Sequence, residues 1–122
     1  MEKSPTRDLK QRTHAFARRI IRLYIALPRN PVAQILGKQV LRSGTSMGAN
    51  YREAFRGRSK AEFIARMGDT RRELDESEYW LELLVDESIV SREKMNPLLD
   101  ETRQLIAVFV TIIKSSRRNH NS

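Results

Sequence analysis

Hydrophobic positions fall into four blocks along the chain, each with steps of three and four residues. Leu9, Phe16, Ile20, Leu23 and Leu27 form one stripe and predict a helix over about 8–26. Val32, Leu36, Val40, Ser43, Met47, Asn50 and Ala54 form a second stripe, over about 31–56. Phe63, Met67, Thr70, Leu74, Ser77, Leu81 and Leu84 alternate steps of four and three without a break, the seam of a bundle helix over about 60–87. Met95, Leu98, Leu99, Thr102, Leu105, Ile106, Phe109 and Ile113 predict a fourth helix, over about 92–114. The boundaries carry their own signals. Asn30 before Pro31 joins a capping side chain to a proline at the first helical position. Gly57 reads as a helix-ending glycine, Ser59 to Glu62 as a capping box, and Ser91 as a cap for the last helix. No strand-like alternation interrupts the pattern. The expectation is an all-α fold, an antiparallel up-down-up-down four-helix bundle. It forms a single domain over 1–116, followed by a disordered polar tail over 117–122.

The second stripe changes character midway. Bulky aliphatics give way to Ser43, Met47 and Asn50, flanked by Gly44, Ser46, Gly48 and Ala49. Each glycine inside a helix costs about 1 kcal/mol relative to alanine. Close approach of a neighbouring helix would offset that cost, with Ser43 and Asn50 buried and hydrogen-bonding across the gap. The run Gln39 to Ala54, with Ser43-Gly44-Thr45-Ser46-Met47-Gly48-Ala49-Asn50 at its centre, resembles the signature of the 23S rRNA intervening-sequence proteins. Ser59-Lys60-Ala61-Glu62-Phe63 and Glu78 to Leu84 fit the same family. The resemblance implies a four-helix bundle without assigned catalytic residues. It also implies kinship with the accessory protein of diversity-generating retroelements, a pentameric helical barrel that binds nucleic acid and a reverse transcriptase. Tyr51-Arg52-Glu53-Ala54 departs from the family's common Ile-Ala-Glu-Gly run and points to a separate subfamily.

Charge sharpens the reading. Residues 1–72 carry seventeen basic against five acidic side chains, and 73–122 carry six against ten, so a +12 half adjoins a −4 half. Seventeen of the 23 basic residues are arginine, whose planar fork suits bidentate phosphate contacts. Such a basic half argues for a polyanionic partner, set against the plainer reading of a solvated surface. Helical phase places Lys38, Arg42, Arg52 and Arg56 on the outer side of the second helix, with Arg58 in the following turn. Arg18 and Arg22 point outward from the first. Acidic residues that would balance this stripe are scarce nearby in the sequence. The absence of cysteine excludes disulfides and thiolate metal sites. No signal-like segment or long apolar run is present, so a cytoplasmic, membrane-free protein is expected.

Catalytic chemistry finds little support. A di-iron bundle needs Glu-x-x-His pairs, yet the only histidines are His14, with no carboxylate three residues before it, and His120. There is no nucleophile elbow, and Gly44-x-x-x-Gly48 lacks the Lys-Ser/Thr end of a phosphate loop. No enzyme, metal or cofactor is expected. Ile21, Ile25, Tyr79, Trp80 and Leu83 fall outside the inner stripes and read as an oligomer interface. The chain therefore reads as a non-catalytic homo-oligomer, a pentamer by resemblance, in which a heterologous ring joins basic half to acidic half. It would bind structured RNA or an RNA–DNA hybrid through Arg18, Arg22, Lys38, Arg42, Arg52, Arg56 and Arg58. The alternative is a protein-interaction scaffold, for example an accessory subunit docking a reverse transcriptase.

Overall fold

The computed structural model describes residues 5–121, with side chains described over 9–119. Four helices account for nearly all of it: α1 (Pro5–Ala26), α2 (Pro31–Ala54), α3 (Lys60–Asp86) and α4 (Arg92–Asn121). The links between them are too short to cross the bundle, so consecutive helices run antiparallel. α2 packs on α1 and on α3, and α3 packs on α4; the α1–α4 seam is much the thinnest, and the diagonal pairs meet only through side chains in the core, as Tyr51 of α2 does with Phe109 of α4. Among the described residues there is no strand, and no helix is long and apolar enough to cross a membrane.

The caps form as their residues dictate. Asn30 Oδ1 accepts the Ala33 N–H at 2.9 Å ahead of Pro31. Ser59 Oγ accepts from Glu62 N at 3.1 Å, while the Glu62 carboxylate reaches back to Arg58 N at 2.7 Å. Ser91 Oγ accepts from Lys94 N at 3.2 Å. α3 ends in a Schellman turn: Ile89 N donates to Leu84 O at 3.0 Å, and Ser88 N to Val85 O at 2.9 Å. The left-handed position of that turn holds Ser88, at φ 59°, where glycine is usual. Gly57 plays no such part. Its φ is not positive, α2 closes on Phe55 and Arg56 instead, and the space a Gly57 side chain would need is occupied by Glu62.

The inner stripes of α1, α3 and α4 lie where the periodicity puts them. α2 is rotated relative to its expected face. Its buried line runs Ala33, Gly37, Val40, Gly44, Met47, Tyr51 and Ala54, with Ser43 beside it. Val32 is 54% exposed, and Leu36 and Asn50 are half-buried. The reason is that Gly37 and Gly44 carry no apolar side chain, yet they are where α1 comes closest. α4 continues well beyond 114, so residues 117–121 are helical rather than a disordered tail. Ser116 extends the buried line three residues past Ile113, and Arg117 and Arg118 suit the negative end of a helix.

Candidate nucleic-acid interface

The α1–α2 seam is built on small residues. A Cβ at Gly44 would stand 2.7 Å from Ile20 Cγ1, and one at Gly37 would stand 2.5 Å from Leu27 Cδ1. Both distances are too short for a side chain as packed: at Gly44 the obstacle is the Cβ-branched Ile20, which fixes the helix spacing, and at Gly37 it is the ends of the Leu27 and Tyr24 side chains. Gly48 is different: a Cβ there would meet Thr13 O at an ordinary 3.7 Å. Ser43 faces the other neighbour. It is fully buried and shares a 2.7 Å hydrogen bond with Ser77 of α3. Asn50 does not join that buried pair. It lies half-buried at the edge of the seam, where its Oδ1 accepts from Arg66 at 3.3 Å.

The arginines divide into two sets. The first set is spent on bridging neighbouring helices. Arg42 donates to Glu73 at 2.9 Å and also to Glu76, clamping α2 to α3. The hydrogen bonds to Glu76 and Glu73 raise the Arg42 pKa, and the one from Arg42, followed by that from Trp80, lowers the Glu76 pKa. Arg103 of α4 donates to Glu78 at 2.7 Å and Glu82 at 3.1 Å, clamping α4 to the other side of α3. Arg12 makes a bidentate pair with Glu101 at 2.8 and 3.2 Å, across the thin α1–α4 seam. Every neighbouring seam except the glycine-packed one thus carries an arginine clamp.

The expected stripe on α2 is therefore not uniform. Arg42 is balanced by two carboxylates that stand far away in sequence but next to it in space. Arg56 makes a loose 3.4 Å contact with Glu53. The second set is free. Among the described residues, no carboxylate lies within 4.0 Å of the side-chain cation of Arg18, Arg22, Lys38, Arg52 or Arg58, although Glu62 accepts from the Arg58 backbone N–H, and all five are exposed. Lys38, Thr45 and Arg52 repeat every seven residues and so share one line along α2. Arg52 lies ten residues beyond Arg42, about 80° round the helix, which turns it from the α3 edge toward the α1 edge. The Gly44–Ile20 and Gly37–Leu27 contacts set the register, bringing Arg18 and Arg22 of α1 to the levels between Lys38 and Arg52. Arg18 and Arg22 of α1 and Lys38 and Arg52 of α2 are thus exposed cations at similar levels on two neighbouring helices, with Arg22 also lining a cleft toward α4. Arg58 stands beyond Arg52, in the α2–α3 link.

The five expected interface residues do not form one patch. Ile21 and Ile25 lie on α1, while Tyr79, Trp80 and Leu83 lie on α3, which sits diagonally across the bundle. Ile25 is 76% exposed and Tyr79 56%. Trp80 and Leu83 are half-buried, because α3 packs against two helices and buries a broad arc. The Trp80 indole N–H donates to Glu76 at 3.1 Å. Two exposed apolar residues, Ile35 and Phe55, escaped the periodicity argument, and Val32, expected on the inner stripe, joins them at the surface. Among the described residues no cluster of His, Asp or Glu is placed to hold a metal ion; His120 has its side chain outside them.

Comparison with known proteins follows the same lines. The model of the family described as 23S rRNA-intervening sequence protein matches residues 6–111. A crystal structure from Bacteroides thetaiotaomicron VPI-5482, of a protein with unknown function from the S23 ribosomal protein family, has a TM-score of 0.81 to this chain and 38% sequence identity. The match covers 86% of this chain and 97% of that one. No curated protein matches.

Proposed function

This chain belongs to the 23S rRNA-intervening sequence protein family, and from that premise we propose that it is a non-catalytic, ring-forming bundle that binds structured RNA or an RNA–DNA hybrid. The binding surface is the α1–α2 face of Arg18, Arg22, Lys38 and Arg52, extended by Arg58. The observation that carries this reading is the division of the arginines. Arg12, Arg42 and Arg103 on the other seams are neutralised by carboxylates, whereas this face leaves a cluster of exposed cations with no carboxylate within 4.0 Å among the described residues. Such a face suits a phosphate backbone, which is contacted without reading sequence. No helix here is shaped to lie in a major groove, and apart from exposed Phe55 at its end the face lacks aromatics on which bases would stack, so sequence preference is slight. Repetition of the face around a ring multiplies a weak contact by avidity.

Fluorescence anisotropy against structured RNA, duplex DNA and a hybrid, over a salt series, tests the reading. Affinity falls steeply with salt, with a log–log slope near −0.9 per neutralised phosphate on a duplex and about −0.7 on single strands. Joint replacement of Arg18, Arg22, Lys38 and Arg52 by glutamine flattens that slope and weakens binding to all sequences alike. Arg42→Gln, which removes a clamp rather than a free cation, leaves the slope unchanged. Absence of salt-dependent binding by the wild type to any of the three overturns the proposal and favours a protein-docking scaffold.

A further inference from the structure

The thin α1–α4 seam holds a second feature, independent of the nucleic-acid reading. Beyond the Arg12–Glu101 clamp, where α1 ends and α4 begins, the two helices enclose a cleft of about 500 Å³. Ligand sites are commonly of this size, apolar with a few polar groups that fix orientation. The floor is aliphatic, made by Leu23, Leu27, Met95 and Leu98. Val90, held in place by the Schellman turn after α3, closes one side. The mouth carries Arg19, Arg22 and Lys94. No acidic residue lines the cleft, and among the described residues no carboxylate lies within 4.0 Å of those three cations.

Three like charges around an apolar floor repel one another, and this bundle pairs its other inter-helix arginines. A ligand with one anionic head satisfies the cations and covers the floor at the same time. No aromatic residue lines the cleft, and Ser91, its one uncharged polar side chain, is already engaged as the α4 cap. A nucleobase would find neither a stacking partner nor edge hydrogen bonds there. The geometry points to a binding site for an amphiphilic anion, a carboxylate or phosphate monoester on Arg19, Arg22 and Lys94, with an unbranched medium-length aliphatic chain along Leu23, Leu27, Met95 and Leu98. Arg22 borders both this cleft and the cationic face, so the test avoids it.

Calorimetric titration of the full chain with decanoate, decyl phosphate and decylammonium, each below its micelle concentration, tests the site. The expected result is one anion bound per chain and no binding of the cation. The preferred head group then identifies the source as a free fatty acid or a phosphorylated lipid. Ala26→Trp, at an exposed lining position, blocks the cleft, and Lys94→Glu reverses one charge at its mouth. Each weakens anion binding at least tenfold while leaving the helical circular-dichroism signal and the salt slope for nucleic acid in place. Equal binding of decylammonium, undiminished affinity in Ala26→Trp, or no binding of either anion at millimolar concentration overturns the inference.

Discussion

Glycines show at the residue scale how a sequence both reveals and conceals packing. Gly44 and Gly48 look alike in the sequence, but only Gly44 abuts Ile20. Ile20 is fully buried and branched at Cβ, so it cannot swing aside. Gly44→Ala is therefore expected to destabilise the bundle by about 1–3 kcal/mol through overpacking. Gly48→Ala places its methyl in ordinary contact and is expected to be neutral, or to stabilise by up to about 1 kcal/mol through helix propensity. Urea denaturation of the two variants separates them, and equal effects would refute this account of the seam. Ser43 was legible because a small polar residue on an apolar stripe needs a partner, and Ser77 supplies it. Gly37 was not legible, because a lone glycine early in a helix leaves no periodic mark of its own. Asn50 was misplaced for the complementary reason: Tyr51, one residue on, takes the buried position and makes an edge-to-face contact with Phe109 at 5.7 Å.

Element by element, α3 is the axis of the electrostatics. Helical phase alone spreads its acidic residues over several faces. In the fold they resolve into two edges: Glu73 and Glu76 hold Arg42 of α2, and Glu78 and Glu82 hold Arg103 of α4. The signal was present as two glutamate pairs, one three and one four residues apart. Their partners lie 21 to 34 residues away, beyond the reach of helical periodicity. The helices themselves were legible because their caps are local, and the end of α4 was lost because polar Ser116 hides a buried position. The Arg42 clamp has a consequence for pH. Folding lowers the Glu76 pKa from its ordinary 4.5 through the bonds from Arg42 and Trp80. The ionised form is thus favoured in the folded state, so the contribution is full above about pH 4.5 and fades as pH falls through the lowered value. Glu76→Gln is expected to be less stable than wild type at pH 7, with the gap narrowing as pH falls below about 4.5. Because the pair is partly exposed, added salt also narrows the gap. Thermal melts across pH check both trends, and a gap that stays constant as pH falls and as salt rises would show that packing rather than charge is at work.

For the whole molecule, the question is how two apolar patches on opposite sides of a bundle become one interface. Ile25 on α1 and Tyr79 on α3 are both well exposed, and the α1 and α3 backbones do not come close to one another. A two-fold dimer would pair like with like and use only one patch. The proposed ring is heterologous: the α1 side of one subunit meets the α3 side of the next, and both patches are covered once per contact. Charge supports that direction, since the basic half contains α1 and the acidic half begins within α3. Mixing two defective subunits tests the arrangement directly. Ile25→Glu spoils only the α1 side, and Tyr79→Glu only the α3 side, and each variant alone is expected to be monomeric. Mixed in equal amounts, they retain one sound α1 side and one sound α3 side. They are expected to form one-to-one dimers that cannot extend, because the remaining two sides are both spoiled. A like-with-like interface predicts otherwise: each variant would still dimerise through its intact patch, and mixing would add no one-to-one species. Mass photometry of the wild type, the two variants and their mixture distinguishes these outcomes. A wild type that stays monomeric at micromolar concentration removes the ring, and with it the avidity that strengthens the cationic face.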